Sequence, residues 1–121
     1  MNLKYLQLAV FFLIIFCSCS KEENKVEIRY QLETSAATGD HFFVSYINAT
    51  NDTITEHAHP GWTTSFAVSK PFNAFIKTEV IPIDNYNFTV TIARNGEVIK
   101  SGTASTASGA KTTIILEHIE K

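Results

Sequence analysis

The feature that most restricts this chain is strict alternation of apolar and polar residues. From Lys25 to Glu33, Val26, Ile28, Tyr30 and Leu32 fall on one side, and Glu27, Arg29, Gln31 and Glu33 on the other. A period of two puts successive side chains on opposite faces of an extended backbone, so the segment reads as a strand with one face buried. The pattern returns at Phe72 to Val80, where Phe72, Ala74, Ile76 and Val80 oppose Asn73, Lys77 and Glu79. It returns again where Tyr86, Phe88, Val90 and Ile92 alternate with Asn87, Thr89 and Thr91. No stretch of the domain carries the apolar spacing of an amphipathic helix.

Turn-forming residues divide the chain at intervals of about ten, which is the spacing of an all-β sandwich or barrel. Gly39 lies in a loop before His41 to Ala49, a segment apolar on both faces and therefore expected at the centre of a sheet. Asn51-Asp52 turns the chain into a mostly polar strand, Asp52 to Ala58, because Asn and Asp bond their own backbone and tolerate left-handed φ. Pro60-Gly61 precedes Trp62 to Ser69, and Lys70-Pro71 leads into Phe72 to Val80. Pro82 has no N–H for a ladder and ends that strand. Asn95-Gly96, between Ile92-Ala93-Arg94 and Glu97-Val98-Ile99, predicts a type I′ hairpin. A seventh strand runs to about Ser105 and an eighth over Ala110 to His118, with Ile114 and Leu116 opposed to Ile115.

The first residues have a different character. Lys4 leads into an apolar run, Leu6 to Phe16, followed by Cys17-Ser18-Cys19-Ser20-Lys21-Glu22-Glu23. A charged start, a short apolar segment and small residues at its end make a secretory signal peptide. The run is too short for a span, which takes about 20 apolar residues. Small residues around a cysteine resemble the lipobox of bacterial lipoproteins, in which the cysteine thiol receives a diacylglyceryl group and becomes the new N-terminus. Cys19 is the better placed of the two cysteines, since choosing Cys17 would set Ile15-Phe16 beside the cleaved bond. Anchoring through acyl chains follows, each buried methylene contributing about 0.8 kcal/mol. The expected division is residues 1–18 as signal peptide, 19–25 as lipidated cysteine and polar tether, and 26–121 as a β domain. Lys21, Glu22 and Glu23, directly after the cysteine, resemble the export signal of Bacteroidota surface lipoproteins, which implies the outer face of the outer membrane.

The succession V-E-I-R-Y-Q-L from Val26, V-S-Y-I-N-A-T-N-D-T-I-T from Val44, P-G-W at Pro60, F-A-V-S-K from Phe66 and T-V-T-I-A-R-N-G-E-V-I-K from Thr89 resembles the extracytoplasmic domain of the MmpS family. The resemblance covers about Val26 to Ile115. It implies a seven- to eight-stranded immunoglobulin-like antiparallel β-sandwich and, from the mycobacterial members, an accessory role beside a membrane exporter. A lipidated cysteine here replaces the membrane helix of those members.

Chemistry-bearing residues are few. The chain has four histidines and two cysteines, and no cysteine follows Cys19, so no disulfide framework supports the domain. Glu56-His57-Ala58-His59 is the one cluster of ligand-type residues. His57 and His59 project from the same face of a strand and are weak metal candidates, because a structural zinc site usually takes four protein ligands. No G-x-S-x-G, H-E-x-x-H or phosphate-cradling glycine loop is present, so no catalytic residues, no enzyme activity and no cofactor are expected. Asp52-Thr53-Ile54 resembles a Bacteroidota O-glycosylation acceptor at Thr53. Without Lys4 the chain has nine basic residues against twelve acidic, a mixed and modest balance that argues against a nucleic-acid partner. The expectation is a non-enzymatic, lipid-anchored binding or interaction module of the cell envelope. Its partners would be the membrane through the lipid and an envelope protein or ligand. The MmpS resemblance implies the exporter role as the alternative.

Overall fold

The computed structural model describes residues 25–36 and 38–121. They form eight strands and no helix: β1 (Lys25–Thr34), β2 (Phe42–Ile47), β3 (Thr53–Ala58), β4 (Thr63–Ser69), β5 (Phe72–Val80), β6 (Asn87–Arg94), β7 (Glu97–Ser105) and β8 (Thr112–Glu120). Two four-stranded antiparallel sheets result, in the orders β4-β1-β6-β7 and β3-β2-β5-β8. The protein is an eight-stranded antiparallel β-sandwich. The two-sheet architecture is the one that immunoglobulin-like domains share across differing connectivities. Here the β6–β7 hairpin belongs to the first sheet, although the strands on either side of it in the chain, β5 and β8, pair directly in the second.

The alternation read from the sequence lays down the core. Ile28, Tyr30 and Leu32 of β1, Phe42 and Val44 of β2, Ala74 and Ile76 of β5, and Phe88, Val90 and Ile92 of β6 are buried between the sheets. β2 pairs with both β3 and β5 and is central, as its apolar character predicts. Only one of its faces is covered, and Phe43 points outward at 47% exposure. The turns form as predicted: Asn51 (φ 64°), Asn95 (φ 49°) and Gly96 (φ 84°) take positive φ, which β-carbon sterics forbid to most residues. Asn95 also closes the end of β1, its side-chain oxygen accepting from Glu27 N–H at 2.9 Å.

Tyr30 joins the two sheets. It rises from β1 and is fully buried. Its hydroxyl donates to the Ile47 carbonyl at 2.9 Å and accepts from Phe75 N–H at 3.2 Å. Those two groups lie beyond the end of the β2–β5 ladder, which stops at Tyr46 and Ile76, so the hydroxyl continues the pairing where backbone pairing ends. Burial pushes its pKa up to about 12.

The two sides of the sandwich are closed differently. β7 leans on β8 at Gly102, where a β-carbon would stand 3.0 Å from Ile114 Cγ2 and 3.1 Å from Leu116 Cδ2. The opposite side is filled by rings, with Tyr46 5.6 Å from Trp62 and Phe66 5.7 Å from Tyr30. At one end, Arg94 of β6 reaches Glu120 of β8 at 3.1 Å, and Glu120 is only 2% exposed.

Candidate functional site

Strand direction sorts the connections onto two poles. Odd-numbered strands run one way and even-numbered strands the other. Lys25, where the chain enters β1, therefore shares a pole with the connections 48–52, 70–71 and 95–96. The connections 35–41, 59–62, 81–86 and 106–111 share the opposite, far pole, and all of them except 59–62 are longer than any at the first. Longer loops on a rigid sheet framework are where binding residues concentrate.

A polar network fixes the far-pole loops. Asp40, 5% exposed, accepts from the Tyr86 hydroxyl at 2.7 Å and from Ile83 N–H at 3.2 Å. The Tyr86 bond holds the Asp40 carboxyl below the usual carboxylate range, while burial, with the same carboxylate beside it, pushes Tyr86 up to about 12. Thr106 ties the third loop to this network, accepting from Tyr86 N–H at 2.8 Å and bonding back to the Asp84 and Tyr86 carbonyls at 3.0 Å. Beside it lies an open polar hollow of about 370 Å³, lined by residues that include Asn85, Tyr86 and Thr106. Asp40 and Tyr86 thus serve as loop supports, with both side chains satisfied internally.

The histidines lie on the outer face of the β3-β2-β5-β8 sheet at this pole. His57 in β3 and His59 just after it are both exposed, with buried Ala58 between them, so the two do share a face. The structure adds His41. The register Phe42↔Ala58 and Phe43↔His57 sets His41 across from His59, and the His41 ring centroid lies 4.8 Å from that of His59 and 6.1 Å from that of His57. His41 stands sixteen positions before His57 in the chain, and the sequence alone does not bring it to the pair. Setting 41 across from 59 takes a register centred on Thr50, which the turn residues by themselves do not fix. Phe43 packs on His57 at 4.5 Å. A small apolar hollow of about 150 Å³ follows, lined by Phe43, Glu79, Val80, Ile81 and Lys111. Ile81 and Ile83 are exposed nearby at 66% and 73%.

Trp62 is a packing residue at the rim. Its ring lies against Tyr46 and its Nε1–H donates to Glu56 Oε1 at 2.8 Å, so Glu56 turns away from the histidines. Thr53, the possible glycan acceptor, is exposed at the start of β3 on the pole where Lys25 lies. His118 belongs to a separate place, bonded to Glu120 at 3.2 Å. Cys19, Lys21, Glu22 and Glu23 lie outside the described residues. As the side chains stand, no group of three or more His, Cys, Asp or Glu among the described residues could hold a metal ion. No protein-family description matches the chain, and no curated protein matches it.

Proposed function

We propose that the chain is a lipid-anchored interaction module of the cell envelope, without catalytic activity. Cys19 is its acylated residue, and Lys21, Glu22 and Glu23 are the signal that carries it to the outer membrane surface. The observation that carries this reading is the polarity of the domain. The segment after Cys19 meets β1 at the pole of the shorter connections, and three of the four longer ones, with Ile81, Ile83, His41, His57 and His59, lie toward the other. An anchor at Cys19 would leave those loops furthest from the lipid. Acyl labelling of the full chain tests the anchor. Cys19→Ala is expected to abolish labelling and release the domain from membranes, and acylation that persists in that variant removes Cys19 as the site. The exporter-accessory role implied by the MmpS resemblance is distinguished by crosslinking in membranes, where recovery of a multi-span transporter would favour it.

A further inference from the structure

We propose that His41, His57 and His59 together bind one divalent transition-metal ion, zinc or copper, at the far pole. This inference does not depend on the lipid anchor.

Three observations carry it. First, the β2–β3 register brings onto one outward face three of the chain's four histidines. Second, the ring spacing suits a shared ion. With metal–nitrogen bonds of about 2.0–2.1 Å, two imidazoles on one ion have centroids roughly 5 Å apart at a tetrahedral angle, and about 6.5 Å apart only when they lie on opposite sides of it. The His41–His59 separation of 4.8 Å suits the tetrahedral spacing as it stands, and the His41–His57 separation of 6.1 Å reaches it by a turn of the exposed rings. Third, among the described residues none of these three imidazoles has a hydrogen-bond or ion-pair partner, in contrast to His118, which is held by Glu120 at 3.2 Å. Their ring nitrogens remain available as ligands.

The His41 ring meets His57 edge to face and His59 at a tilt, and the three are not gathered around a point in this structure. All three are exposed, so they can turn about χ1 and χ2 onto an ion without movement of the strands that carry them. The donor set selects the ion. Three neutral imidazoles suit zinc, nickel and copper over magnesium or calcium, which prefer oxygen. Three protein ligands also differ from a closed structural site of four, leaving a position for water or an incoming ligand. Such a site exchanges its ion with the surroundings, which suits capture at a surface better than reinforcement of the fold.

The test uses the full chain in detergent, without a polyhistidine tag and stripped with a chelator. Calorimetric titration with zinc chloride or copper chloride is expected to show one ion per chain. His41→Gln, His57→Gln and His59→Gln should each weaken binding by about tenfold or more, as expected when a ligand is lost. His118→Gln should leave it unchanged. Electron spin-echo spectroscopy of the wild-type copper complex counts imidazoles directly and does not depend on how any variant folds. Three coupled imidazoles support the proposal, and two or fewer overturn it. It is also overturned by the absence of heat with either ion, or by His41→Gln binding as tightly as wild type.

Discussion

Replacing Tyr30 with Phe isolates one atom that the structure makes responsible for joining the sheets. The ring still fills the same volume, so the contacts with Tyr46 and Phe66 at 5.5 and 5.7 Å persist. The lost hydroxyl strands two backbone groups, the Ile47 carbonyl and the Phe75 amide. A buried polar group left without a partner costs about 1–3 kcal/mol. Ile47 ends its strand and recovers part of this from water, so the total should be about 2–3 kcal/mol. At about 4–8 °C per kcal/mol for a domain of this size, the melting temperature should fall by roughly 8–24 °C. Urea unfolding should show a lower midpoint with an unchanged m value. Hydrogen exchange at the Phe75 amide should accelerate ahead of neighbours in the β5–β8 ladder. A loss below about 0.5 kcal/mol in Tyr30→Phe, or unaltered exchange at Phe75, would refute the clamp and leave Tyr30 as an ordinary core ring.

Thr78 is fully buried and its hydroxyl has no partner, so Thr78→Val should stabilise the domain by about 1 kcal/mol in urea melts; a loss would mean that the hydroxyl is satisfied in solution. Arg94→Met leaves the Glu120 carboxylate, 2% exposed, with His118 alone. A cost of about 1–3 kcal/mol is expected, and adding Glu120→Gln should recover part of it; equal stability of wild type and Arg94→Met would show the pair to be inert. The lowered pKa of Asp40 means that the unfolded chain binds this proton more readily than the folded one. Its contribution is therefore complete above the unfolded value of about 3.9 and fades as pH falls through the lower folded value. Asp40→Asn should be less stable than wild type at neutral pH and flatter in acid, and parallel stability–pH curves would contradict this. Tyr30 and Tyr86, both pushed up to about 12, should keep their protons past pH 10 in the folded state. Stability should then decline from about pH 10, where free tyrosine ionises, to about 12, and tyrosinate absorbance appearing with an ordinary pKa in folded protein would argue otherwise.

Local structure was legible wherever a side chain and its immediate neighbours decide it. Alternation placed Val26 to Leu32 and Tyr86 to Ile92 in the core, and Asn95-Gly96 announced its own hairpin, because period and turn conformation are short-range properties. Strand partnership is another matter. Nothing near Val80 or Thr112 tells β5 to pair with β8 across an intervening hairpin. That choice comes from how all the apolar faces are buried together. The histidine group shows the same division: His57 and His59 share a face by pleat alone, whereas His41 arrives through hairpin register. Tyr30 reads as one more core aromatic, since the end of a ladder 17 residues away is invisible until both sheets exist. His41 to Ala49 was expected to be apolar on both faces, and the outward side proves to be Phe43 against His57.

The position of β1 bears on how the domain carries load. Its first residue, Lys25, is already paired with Ser69, and both of its edges are occupied, by β4 from Lys25 to Gln31 and by β6 from Ile28 to Thr34. A pull on the chain ahead of Lys25, resisted by anything gripping the far-pole loops, runs parallel to β1. Hydrogen bonds perpendicular to the strands are then sheared together instead of peeling open one pair at a time. The Asn95 bond to Glu27 N–H and the reciprocal Asn95 N–H bond to the Glu27 carbonyl, each 2.9 Å, lie at the first point of loading. The fold therefore meets tension applied ahead of Lys25 with a strand paired along both edges, as a mechanically stiff link.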